Sequence, residues 1–138
     1  MSDLVRMSIA IEKPLLKRLE KMVRGSRYSN RSEFIRDMIR ERVVQQEWER
    51  DQEVVGTITL VYDHHVRLLS EKLTDLQHDH HGTILATTHV HLDKHTCAEM
   101  IMLKGRAGKI RRVADLLRQQ KGVFHAGLSI SSTGRKLA

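Results

Sequence analysis

The sequence predicts an α+β protein built from two modules, and three observations carry that prediction. Residues 5–11 alternate like a strand, and two helical apolar stripes follow before residue 50. Residues 51–138 carry strand and helix patterns in the order β-α-β-β-α-β. The chemistry divides at the same place. Residues 1–50 hold twelve Lys or Arg, eight acids and no His, while 51–138 hold all nine His and the one Cys of the 138-residue chain. Two modules with two tasks are expected, bounded at 1–50 and 51–138.

In the first module Met7, Ile9 and Ile11 alternate with Arg6, Ser8 and Ala10, as in a strand with one buried face. Pro14 suits the first turn of a helix. Leu15, Leu16, Leu19, Met22 and Val23 follow at helical spacing, and Gly25 supplies a stop. Asn30 and Glu33 read as an N-cap with its capping-box partner. Phe34, Ile35, Met38, Ile39 and Val43 form the next stripe, on a helix that nothing stops through QQEWERDQE. One strand cannot close a sheet, and about 45 residues bury too little apolar surface to stand alone. Pairing the strand with its copy in a second chain answers both problems and predicts an intertwined dimer.

In the second module VVGTITLVY reads as a strand, with Gly56 weakening its interior, and residues 63–79 as a helix. TILATTHVHL and CAEMIML form a hairpin across DKHT. Gly105 to about Gln120 is helical and stops at Gly122, and GVFHAGLSIS is the last strand. This is the order of a ferredoxin-like split βαβ domain. The tail STGRKLA is expected to be loose.

Composition excludes several classes. One thiol rules out an intrachain disulfide framework, and no secretory signal pattern is present. No apolar run nears the roughly 18 residues of a membrane span. A cytoplasmic protein without membrane contact is expected. The formal charge of +7 invites an anionic partner.

The exposed face of a two-stranded ribbon fits the major groove of DNA. There Arg6 can read guanine, a contact worth roughly 1–3 kcal/mol of discrimination. Ser8 can donate or accept, and Ala10 can offer a methyl group to thymine. Asn30, Arg31 and Ser32 open the second helix, where free N–H groups suit a phosphate, and Arg36 lies near that end. The β-α-α order and the stretch NRSEFIRDMIRE resemble the ribbon-helix-helix DNA-binding family, which implies strands paired between two chains.

His89 and His91 are two apart on a strand and share a face. If His91 pairs with Cys97 across a five-residue loop, 92–96, their Cβ atoms lie about 4.5–5.5 Å apart. A one-residue slip would turn Cys97 to the other face. A fourth ligand must come from elsewhere, with His78, His80 and His81 as the pool. Imidazole plus thiolate suits nickel, copper, zinc or cobalt, and spacing does not choose among them. Single histidines on strands and turns are mostly surface residues, the reading kept for His64, His65, His95 and His125. An enzyme is not expected: there is no HExxH helix, no obvious general base and no mark of a small-molecule substrate.

Together RMSIAI, NRSEFIRD, VYDHH, QHDHH, ATTHVHL, Cys97 with Glu99, and LKG resemble the nickel-responsive transcriptional regulators (NikR) over residues 5–130. The resemblance implies a ribbon-helix-helix domain, an ACT-like regulatory domain, a homotetramer made as a dimer of dimers, and one Ni(II) per chain in a planar site. It implies His89, His91 and Cys97 as ligands from one chain and His78 from its neighbour, with Glu99 orienting a ligand. Glu33 and Asp37 match residues holding a second cation between the domains. The implied activity is nickel-dependent binding of a palindromic operator, repressing nickel-uptake genes. The rival readings are an antitoxin-type ribbon-helix-helix protein without metal control and a sensor of Co, Cu or Zn. Ala10, where a Thr is frequent, and Asp79 inside HDHH depart from the family pattern.

Overall fold

The computed structural model describes residues 3–138. The chain divides into two compact units, Met1–Val43 with Lys136–Ala138, and Val44–Arg135.

The first unit is helical. Helix α1 (Lys13–Arg24) starts with Pro14 in its first turn, and Gly25 closes it with its N–H on the Lys21 carbonyl, 3.0 Å. Helix α2 (Arg31–Glu49) enters the charged stretch but stops midway, at Glu49, where Asp51 turns the backbone at φ +52°, so the expected continuation through QQEWERDQE is not seen. Asn30 caps it, its Oδ1 accepting the Glu33 N–H at 2.9 Å. The reciprocal half of the capping box does not form, because the Glu33 carboxylate pairs with Arg36 instead.

The predicted strand over 5–11 is not seen: residues 3–12 have no regular secondary structure. A strand exists only within a ladder, and among the described residues this unit supplies no second strand. Met7 and Ile9 are consequently 77 % and 60 % exposed.

The second unit has the predicted β-α-β-β-α-β order: β1 (Glu53–Asp63), α3 (Leu69–Asp79), β2 (Ile84–His91), β3 (Thr96–Arg106), α4 (Ala107–Arg118) and β4 (Val123–Ile130). The sheet order is β2-β3-β1-β4, and every neighbouring pair is antiparallel. Alternate residues Ile58, Leu60 and Tyr62 of β1 and Ile101 and Leu103 of β3 are buried with Leu69 and Leu73 of α3 and Ile110, Val113 and Leu117 of α4. Each such aliphatic side chain contributes about 1.5–3 kcal/mol of burial. On the opposite face Met100 and Met102 stay 50 % and 43 % exposed, with Val90 in the neighbouring strand.

Two expectations need correction. Helix α3 begins at Leu69, not 63. Asp63 Oδ1 accepts the His65 N–H at 2.8 Å, and Leu68 lies at φ +64°, so 64–68 form a turn. The tail is not loose from its start. Its first residue, Ser132, donates from Oγ to Glu47 at 2.8 Å, next to Ser131 of the expected strand, whose N–H donates to the Val55 carbonyl and whose carbonyl accepts Trp48 Nε1, both at 2.8 Å. Gly56 is the reason Trp48 fits: a Cβ there would lie 3.0 Å from Trp48 Cη2.

Candidate metal centre

The β2–β3 hairpin closes through Asp93, whose Oδ1 accepts the N–H groups of His95 (2.7 Å) and Thr96 (2.8 Å). The bond from His95 leads in holding that carboxyl below its ordinary range. This turn sets the register His91↔Cys97 and His89↔Glu99, the pairing that a shared face requires. Cys97 also faces Tyr62 across β1. Tyr62, Cys97 and His91 thus form one row over three strands, on the face that carries the buried core.

His91 Nδ1 lies 3.2 Å from the Cys97 Sγ. The rings of His89 and His91 are 5.2 Å apart, centroid to centroid. His89 Nδ1 meets the Tyr62 hydroxyl at 3.1 Å. If Nδ1–H donates there, the Nε2 lone pair is left for a metal. Burial pushes the Tyr62 phenol up, and Glu99 adds to that, so it stays neutral as a partner. Glu99 in turn accepts from Gln77 Nε2 at 3.1 Å, tying β3 to the end of α3.

Burial pushes the Cys97 thiol up as well, helped by the carboxylates of Asp93 and Glu99. A thiol so placed is protonated at neutral pH until a cation displaces the proton. Imidazole nitrogens beside a thiol sulfur suit late first-row metals. The residues present fit such an ion.

His64 is the residue that sequence reading set aside. Its Nδ1 lies 3.4 Å from the Cys97 Sγ, and the donor atoms of His64, His91 and Cys97 all fall within 4.8 Å of one another. The sequence holds one cue, that His64 follows Tyr62 by two residues; in the structure its N–H bonds the His95 carbonyl at 2.8 Å, carrying β1's line beyond Asp63 to the hairpin turn. His78 stands exposed in the last turn of α3, outside this cluster. His65 and His95 meet each other instead, Nε2 to Nδ1 at 2.8 Å.

The DNA candidates Arg6, Ser8, Ala10, Asn30, Arg31 and Ser32 are all exposed, and Arg36 is half-buried against Glu33. Asp37 is paired with Arg40 at 2.7 Å and accepts the Tyr28 hydroxyl. Neither Glu33 nor Asp37 is thus a bare carboxylate within the first unit.

Comparison with known proteins fits both units. Residues 55–131 match the family described as NikR C terminal nickel binding domain, and residues 5–46 match the ribbon-helix-helix proteins of the copG family. A protein of Solibacter usitatus named as a nickel-responsive regulator is 49 % identical over 138 residues, covering 99 % of each chain. A namesake in Syntrophus aciditrophicus is 44 % identical, covering 98 % of each chain. An uncharacterised protein of Thermotoga maritima, TM1266, shares the fold at 16 % identity and a TM-score of 0.52, covering 57 % of this chain and 98 % of its own. With full-length identity at this level and both family matches in the expected order, the chain belongs to the nickel-responsive regulator family, a family of DNA-binding transcription regulators and not of enzymes.

Proposed function

We propose that this chain is a Ni(II)-dependent repressor acting in the cytoplasm on a palindromic operator of nickel-uptake genes, with residues 1–50 reading DNA and residues 51–138 sensing metal. The observation that carries it is the hairpin register, which sets His91 beside Cys97 with His89 on the same face. His89, His91 and Cys97 would hold one Ni(II) per chain, and His78 of a neighbouring chain would complete the set. When bound, the ion supplies a bridge between two copies of the second unit. Tyr62 orients the His89 ring, and Glu99 with Gln77 links the site to α3.

A homotetramer, made as a dimer of dimers, is supported by two uncovered apolar surfaces. Met7 and Ile9 need a partner strand, and Met100, Met102 and Val90 leave one sheet face open to a second copy. In the paired ribbon Arg6, Ser8 and Ala10 would meet base edges, while Asn30, Arg31, Ser32 and Arg36 would meet phosphates. Repression then rests on tighter DNA binding by the metal-bound state, by no more than its differential affinity allows.

Operator binding is measured with and without one equivalent of Ni(II), for wild type and for His89→Ala and Cys97→Ala. Metal-dependent binding lost in both variants is expected. Equal binding without metal would favour an antitoxin-type protein, and a stronger response to Co(II), Cu(II) or Zn(II) would reassign the ion. The cluster of His64, His91 and Cys97 favours a second reading in which His64 takes a ligand position. His64→Ala then weakens Ni(II) as strongly as His89→Ala does.

A further inference from the structure

Away from the histidines, the second unit holds a cavity of about 480 Å³ where the start of β1, the approach to β2 and the turn from β3 into α4 meet. Four cations line it: Lys104, Arg106, Lys109 and Arg112. Two acids stand among them. Glu53 lies 3.6 Å from Lys104, and Asp51 lies 4.0 Å from Arg106 while its Oδ1 accepts the Gly108 N–H at 2.7 Å. Asp51 therefore already serves the first turn of α4, and Lys109 and Arg112 have no carboxylate partner among the described residues.

The cavity also presents a hydroxyl from its wall. Thr83 lines the cavity, and its hydroxyl, unpartnered among the described residues, is not sealed from solvent and is open to a ligand. Gly105 leaves room for that ligand. A Cβ there would sit 3.4 Å from Thr83 Cγ2 and 3.9 Å from its Oγ1, and at Gly82 a Cβ would meet nothing within 4 Å.

From these features we infer that this hollow binds a phosphoryl oxyanion, with Lys109 and Arg112 supplying charge and Thr83 Oγ donating a hydrogen bond. Two surplus cations match a dianionic group, and guanidinium suits phosphoryl oxygens in two-point contact. The space exceeds that of one phosphate group and falls in the usual range of ligand sites. Phosphoryl oxygens come from a free phosphoanion or from a DNA backbone. The inference does not depend on the metal reading, since no His or Cys lines the cavity.

The test titrates the full-length protein with inorganic pyrophosphate at constant ionic strength by isothermal calorimetry. Saturable binding of one equivalent per chain is expected, weakened about tenfold or more in Lys109→Ala/Arg112→Ala and less in Thr83→Val. A random-sequence duplex, titrated over a range of salt, separates the sources. If the double variant also lowers the salt slope by about two, backbone phosphates use the site. If the slope is unchanged, the site serves a free phosphoanion. No saturable pyrophosphate binding, or binding equal in wild type and double variant, overturns the inference whatever the duplex does.

Discussion

Ile101 and Ile39 both stand on regular elements, yet Ile101 is fully buried and Ile39 is 53 % exposed. The contrast holds across the two units. The second closes a four-stranded sheet under α3 and α4 and buries its own core. In the first, Leu19 alone among the apolar residues of α1 is buried, and Leu15, Met22 and Met38 remain open with Ile39. Both sequences carry a full apolar stripe, so the difference lies in whether one chain contains the surface that covers it. The second unit does, and the first must find its cover elsewhere. The largest expected effects test this directly. Ile101→Ala should cost about 2–5 kcal/mol in urea unfolding. Ile39→Ala should instead shift the midpoint in a way that depends on protein concentration, because a second copy completes the burial. A concentration-independent midpoint for Ile39→Ala would remove the intertwined-dimer reading.

The same contrast explains what could be read from residues alone. The strands and helices of the second unit were legible because each pattern finds its partner within the chain. The register His91↔Cys97 was one that hairpin length allows, and the Asp93 turn selects it. The strand over 5–11 was legible as a pattern and yet is not formed, because its ladder requires a second chain. The start of α3 was misread because Val66 continues the helical spacing while Asp63 turns the backbone with its carboxylate. His64 was passed over for a different reason. Its neighbours in sequence are polar, and only the approach of β1's end to the hairpin turn brings it to Cys97.

The metal cluster ranks next in size and belongs wholly to the self-sufficient unit. Cys97→Ala should lower Ni(II) affinity by more than about 100-fold, beyond the 10–100-fold usual when only an outer partner is lost. Tyr62→Phe, which keeps the ring and removes the hydroxyl from His89, should fall inside that smaller range. Competition with a chromophoric chelator measures both. Equal losses in the two variants would mean that Tyr62 does more than orient the His89 ring. Because the Cys97 thiol is pushed up, uptake should release a proton, and affinity should fall as pH falls.

A smaller effect probes how tightly the second unit is packed. Gly56→Ala adds a methyl group 3.0 Å from Trp48 Cη2 and 3.3 Å from Ile110 Cγ2. Crowding of a well-packed core costs about 1–3 kcal/mol. Trp48 fluorescence reports it, since a displaced ring would also lose its bond to the Ser131 carbonyl. An unchanged midpoint and spectrum would show that this end of α2 yields easily, and would weaken the contrast with the first unit.

The smallest effect lies in the first unit, where exposed polar contacts stand in for a core. Asp37 accepts the Tyr28 hydroxyl and pairs with Arg40, and these bonds, Tyr28's leading, hold its carboxyl below the ordinary value. Tyr28 is pushed up by the same contact. The signs bound the interaction at both ends. A depressed carboxyl stabilises above its unfolded pKa, near 4, and loses that contribution as pH falls through the folded value. A raised phenol stabilises below about 10 and loses its contribution as pH rises through the folded value. Both groups are solvated, so the gain at neutral pH is small. Carboxyl NMR titration of Tyr28→Phe should show Asp37 moving back toward the ordinary value, with a remainder due to Arg40. If Asp37 titrates as in wild type, Tyr28 does not hold it, and this contact contributes nothing to the order of the first unit.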